Sequence, residues 1–96
     1  MQLSIYSVYD NAAKCYLAIF TMKTDGEARR WFMDAVSNPE TAISRHPSDY
    51  TLFRLGSVDD GDGLLVAESA PQALGNGLEY VELEATQRDL KLGSVS

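Results

Sequence analysis

The stretch Thr24-Asp25-Gly26-Glu27-Ala28-Arg29-Arg30-Trp31-Phe32-Met33-Asp34-Ala35-Val36-Ser37-Asn38-Pro39 decides the fold. Thr24 and Glu27 have the spacing of a capping box, in which the threonine hydroxyl accepts from the amide three residues on. Ala28, Trp31, Phe32, Ala35 and Val36 then recur at i, i+3, i+4, i+7 and i+8, one apolar helical face without a miss. Asn38-Pro39 closes it, because the residue before proline avoids the helical region. An amphipathic helix of this length needs an apolar surface to lie on, and the flanking sequence supplies strands.

Upstream, Leu3–Tyr9 and Cys15–Met22 are rich in β-branched and aromatic residues, and the polar break Asp10–Lys14 between them reads as a hairpin loop. Downstream, Glu40–Arg45 can add one short helical turn before His46-Pro47. Tyr50–Val58 reads as a third strand, Asp59–Gly63 as a glycine-containing turn and Leu64–Glu68 as a fourth strand. Ala70–Gly77 reads as a loop with an Asn-Gly turn signal, and Leu78–Leu83 alternates only weakly. Residues 84–96 have little apolar content and are expected to fray.

The resulting order, β-β-α-β-β, predicts an α+β domain over residues 1–83: a small antiparallel sheet with one main amphipathic helix on one face, followed by a flexible, acidic-to-mixed tail over 84–96. Alternation sorts the strand residues into two sets. Leu3, Ile5, Leu17, Ile19, Phe53 and Leu55 are expected on the helix side with Trp31 and Phe32. Tyr6, Tyr16, Phe20, Tyr50, Leu52 and Arg54 are expected on the opposite face, too apolar a surface to stand uncovered.

Composition narrows the function. A chain of 96 residues with 45% hydrophobic and 9% aromatic content suits one globular domain. No apolar run approaches the ~20 residues that span a bilayer, and the first residues lack the pattern of a signal peptide, so the expected setting is cytoplasm. Cys15 is the single cysteine, which excludes an internal disulfide and a cysteine zinc site and is expected to be a buried reduced thiol. The net charge of −6 is uneven. Residues 1–54 hold six cations and six acids, whereas residues 55–96 hold eight acids against Arg88 and Lys91. Bulk electrostatics therefore oppose tight nonspecific nucleic-acid binding.

Catalytic and metal chemistries find little support. His46 is the only histidine, and its nearness in sequence to Asp49 and several serines supplies no acid–base geometry. Gly75-Asn76-Gly77 neither follows a clear strand nor opens a recognisable helix, so it is not a dinucleotide fingerprint. Asp59-Asp60-Gly61-Asp62-Gly63 has the composition of a calcium loop, but position twelve counted from Asp60 is Pro71 instead of glutamate, and a turn explains these residues. No cofactor is expected.

Single-stranded DNA is the ligand that the residues fit best at this level. Tyr6, Tyr16, Tyr50 and Arg54 on one sheet face, with Lys14 at the adjoining hairpin, combine stacking surfaces with cations. About three cations on phosphates would give a log–log salt slope of roughly −2. The alternative from the same residues is that these tyrosines pack in a core or a dimer interface.

The run His46-Pro47-Ser48-Asp49-Tyr50-Thr51-Leu52-Phe53-Arg54-Leu55-Gly56-Ser57-Val58-Asp59-Asp60, together with Thr24–Ala28, Asn38-Pro39 and the opening Ile5–Asp10, resembles the small nonstructural protein of gokushoviruses, tailless single-stranded-DNA phages of the microvirus group. The similarity spans residues 3–63. It implies a protein made in the host cytoplasm, outside the virion shell, that serves genome replication at the switch to single-stranded DNA synthesis or packaging; it brings no family active site. The expectation is thus a noncatalytic, homo-oligomeric α+β protein making weak single-stranded DNA contact through Tyr6, Lys14, Tyr16, Tyr50 and Arg54. Its rival is a module that binds a phage or host replication protein without touching DNA.

Overall fold

The computed structural model describes residues 1–95, with side chains as far as Gln87. β1 (Gln2–Asp10), β2 (Cys15–Tyr16) and β3 (Phe20–Met22) precede α1 (Asp25–Ser37), a short α2 (Ala42–Arg45) and a 3₁₀ turn (Pro47–Asp49). β4 (Tyr50–Asp59), β5 (Leu65–Asn76) and α3 (Gly77–Val95) follow. All strand pairings are antiparallel, in the order β2-β1-β4-β5 with β3 also on β1. An antiparallel sheet with its helices on one face is the expected α+β class.

α1 forms as its sequence dictates. Thr24 is extended and its side chain accepts from the Glu27 amide at 3.1 Å. Ala28, Phe32 and Val36 are its buried residues, and they lie on Tyr6, Val8, Tyr50 and Leu52 of the sheet. The face assignment read from alternation is therefore inverted for β1 and β4, though not for Tyr16 of β2: Tyr6 and Leu52 are fully buried beneath the helix, and Tyr50 is 9% exposed. Alternation separates two sets of side chains but does not say which set the helix covers. Trp31 sits at the margin, 39% exposed, its ring tilted against Phe20 with centroids 4.5 Å apart.

Three other expectations are corrected. The second strand is not continuous from Cys15 to Met22. After Tyr16 the chain leaves the ladder, and the Ser7 hydroxyl donates to the carbonyls of Leu17 (2.9 Å) and Ala18 (3.3 Å). Ser7 is fully buried by this arrangement, and Cys15, in a two-residue strand at the sheet margin, is exposed instead of buried.

The fourth strand does not stop at Glu68. Arg54 pairs with Gln72 and Gly56 with Ala67, so Glu68–Pro71 bulge out opposite Leu55 and the strand then resumes to Asn76. Pro71, which has no amide hydrogen to give to a ladder, falls within this bulge. The bulge also switches the parity of β4, so Phe53 shares a face with Gly56 and Val58 and not with Leu55.

Finally, Asn76-Gly77 opens a helix instead of a hairpin. Asn76 Oδ1 accepts from the Leu78 amide at 3.0 Å while Glu79 Oε2 accepts from the Asn76 amide at 3.2 Å, a reciprocal capping box. Gly77 permits it, because a Cβ there would lie 2.3 Å from the Pro47 carbonyl oxygen. Leu78–Leu83 is thus helical, and Tyr80 docks edge-on against Phe32 at 5.1 Å. The segment expected to be a loose tail continues the helical backbone of α3 as far as Val95, and Ser96 lies outside the described residues.

Candidate interaction face

The five residues singled out for DNA contact do not form one surface. Tyr6 is buried, and its hydroxyl donates to Asp25 Oδ1 at 2.7 Å. Arg54 lies on the same, helix-covered side and is paired with neighbours. Its Nη1 donates to Asp25 Oδ2 at 2.5 Å, its Nε to Glu68 at 3.0 Å and its Nη2 to Gln72. Burial alone would raise the Asp25 carboxyl, but the hydrogen bonds from Tyr6 and Arg54 and the Arg54 charge outweigh it and hold the group below the ordinary carboxylate range. Burial, then the bond to Asp25, pushes the Tyr6 phenol up. This cluster ties the start of α1 to β1, β4 and β5, with each of the three Arg54 nitrogens hydrogen-bonded to a neighbour.

Tyr50 lies in the core at the start of β4, its phenol raised first by burial and then by Asp10 and Asp49. Lys14 and Tyr16 remain accessible. Lys14 sits at the hairpin tip with φ 58° and donates its amide to the Asp10 carbonyl at 2.7 Å. Tyr16 is 39% exposed on the sheet face away from the helices. The structure thus separates Tyr6, Tyr50 and Arg54 from Tyr16 by the thickness of the sheet, with Lys14 at the hairpin tip.

What the reading of single residues missed is the face on which Tyr16 stands. Partners in an antiparallel ladder share a face, and every second residue along a strand returns to it. From the register, this side carries Leu3, Ile5, Ser7 and Tyr9 of β1, with Tyr16 of β2 opposite Tyr9 and Thr21 of β3 opposite Ile5. It continues with Thr51, Phe53, Gly56 and Val58 of β4 and with Leu65, Ala67 and Ala73 of β5. None of these residues carries a charge. Tyr9, Tyr16 and Phe53 form an edge-to-face trio, with centroids 4.9 Å apart for Tyr9–Tyr16, 5.7 Å for Tyr16–Phe53 and 6.5 Å for Tyr9–Phe53.

This face is uncovered because the three helices lie on the other side, α1 on the sheet and α3 against α1 through Phe32 and Tyr80. The signal for it was present in the run Leu3-x-Ile5-x-Ser7-x-Tyr9, but the parity switch in β4 hid the contribution of Phe53.

His46, the sole histidine, is exposed and engaged only through its backbone, donating to Ala42 and accepting from Asp49. The aspartate-rich stretch after β4 closes as a turn, with Asp59 Oδ1 accepting from the amides of Gly61 (2.7 Å) and Asp62 (3.3 Å). Among the described residues no helix is long and apolar enough to cross a membrane.

An antiparallel sheet covered by helices on one side and bearing an uncharged aromatic–aliphatic surface on the other defines a small α+β protein built around an open sheet face. The chain belongs to a bacteriophage family, the one described as Phage ORF5 protein, which it matches over residues 3–80. That match takes in both faces of the sheet, the bulged β5 and the cap of α3. No curated protein and no solved structure matches the chain.

Proposed function

We propose that this phage protein acts without catalysis, as a docking module that supports viral DNA synthesis or packaging in the host cytoplasm, outside the virion, by protein contact through its open sheet face. The observation that carries this reading is the composition of that face: uncharged side chains from all five strands, aliphatic and aromatic on four of them, with hydroxyls at Ser7, Thr21 and Thr51. Such a surface gains from exclusion of water and offers nothing to a phosphate backbone. The placing of the role in genome replication rests on the resemblance of its sequence to gokushovirus nonstructural proteins.

A second reading has its own observation. Tyr9, Tyr16 and Phe53 lie together on the accessible face, and Lys14 is two residues from Tyr16 in the same hairpin. Aromatic stacking beside one cation would suit weak single-stranded DNA contact, with a log–log salt slope of roughly −0.7.

A titration of labelled single-stranded DNA separates the two, at low and at moderate salt, with wild type and with the double substitution Lys14→Ala, Tyr16→Ala. Protein contact predicts no salt-sensitive binding up to tens of micromolar. Binding that weakens with salt and disappears in the double variant would overturn it in favour of DNA.

A further inference from the structure

The open face has a geometry that selects its occupant. We propose that two copies of this chain stack open face to open face about a two-fold axis, making a β-sandwich core of Tyr9, Tyr16 and Phe53 with Leu3, Ile5 and Val58. The inference rests on the reading of this face as a protein-contact surface and names the partner.

Three observations support a second copy. The first is charge. The chain carries −6, yet none of the described residues on this face is acidic: Asp59, Asp60 and Asp62 are at the β4–β5 turn, Asp25 and Glu68 are paired with Arg54, and Glu79 caps α3. Two copies can therefore meet here with no like charges in contact, which holds for no surface that includes those acids.

The second is extent. The uncharged residues run along β1 (Gln2–Asp10) and across each strand paired with it and with β4, so a second copy meets one continuous face.

The third is the state of the neighbouring surfaces. The outer edge of β5 is interrupted by the Glu68–Pro71 bulge and by Pro71, a pattern that resists strand addition. Face-to-face stacking, with sheets about 10 Å apart and strands inclined by roughly 30°, needs no free edge. A two-fold axis makes the contact isologous, so one uncharged face serves both partners and the assembly closes as a dimer.

Sedimentation or light scattering on the full chain tests this, with wild type, Phe53→Lys and Tyr16→Lys. Tyr16 is already part-exposed, so its substitution tests the face even if Phe53→Lys does not fold; circular dichroism reports the fold of each. The expected result is a wild-type mass of twice 10.6 kDa, with dimerisation weakened about hundredfold in each variant because an unpaired lysine must be desolvated in an uncharged interface. The wild-type Tm should also rise with concentration, and that of Tyr16→Lys should not.

A wild-type dimer that persists unchanged in a folded Tyr16→Lys would overturn the proposal by assigning association to another surface. A wild-type monomer at hundreds of micromolar would overturn it as well. In that event the DNA titration distinguishes the two failures. A monomer that ignores DNA keeps the protein-contact reading and loses only the second copy as partner. A monomer that binds DNA in a salt-sensitive way loses both.

Discussion

The two faces of this sheet are made from the same strands, yet they differ in how their polar groups are treated. The helix-covered face contains a charged cluster that is paired internally: Tyr6 and Arg54 converge on Asp25, and Arg54 also reaches Glu68 and Gln72. The open face avoids the problem by having no charges to satisfy. A face that is finished within the monomer can hold ion pairs, because the partners are fixed by the same chain. A face finished by association gains most from groups that lose nothing when water leaves.

The sharpest test of that contrast compares neighbours in sequence that lie on opposite faces. Leu52 is fully buried under α1, whereas Phe53 stands on the open side. Leu52→Ala should lower monomer stability by about 3–4 kcal/mol through lost contacts and a cavity, a large part of the total for a domain of this size. Phe53→Ala should cost only about 1 kcal/mol when measured at low concentration, where association contributes little. Urea denaturation of both variants checks this. Equal losses would mean that the open face is as integral to the monomer as the covered one.

A smaller effect is expected at the Tyr6–Asp25–Arg54 cluster. The Asp25 and Arg54 side chains are 28% and 24% exposed, so solvent moderates the pair. Asp25→Asn should cost about 1–2 kcal/mol at pH 7. The carboxyl is held below its ordinary range, so it releases its proton more readily folded than unfolded. Its stabilisation is therefore complete above the ordinary carboxylate pKa of about 3.9 and is lost as pH falls through the lower, folded value. The stability difference between wild type and Asp25→Asn should be flat from pH 7 to about 5 and shrink below about 4. A difference that stayed constant into strong acid would show that the cluster acts by shape alone.

The fold class and the central helix were legible because they depend on local rules: the Thr24–Glu27 box, the apolar spacing of Ala28, Phe32 and Val36, and the asparagine before Pro39 are each contained within a few residues. The β1–β2 hairpin, the short α2 and the Asp59–Gly63 turn were legible for the same reason. What failed depended on contacts between distant segments. Which side of β1 faces α1 is decided by Phe32 meeting Tyr6 and Leu52, and alternation is symmetric with respect to that choice.

Leu55 opposite Glu68–Pro71 resets the parity of β4, and no single-strand pattern announces such a bulge. Arg54 among apolar residues suggested a free cation on an aromatic face because its partners, Asp25, Glu68 and Gln72, lie between 14 and 29 residues away. The start of α3 was the avoidable miss. Asn76-x-x-Glu79 has the spacing of the same cap that identified α1, but Asn-Gly is also a hairpin signal, and the weak alternation of Leu78–Leu83 favoured a strand.

Those caps allow the gentlest test of the two-face contrast. Thr24 contributes one side-chain bond at the start of α1, to the Glu27 amide, on the covered side of the sheet. Thr24→Ala should cost about 1 kcal/mol, the usual value of a lost cap. Because the buried residues of α1 pack on the sheet face opposite the open one, the substitution should leave dimerisation unchanged even as the folded state becomes less stable. Denaturation and sedimentation on the same sample would check both halves of this expectation. If weakening the helix cap also weakened association, the sheet would be transmitting strain between its faces, and the covered side could no longer be regarded as complete without its partner.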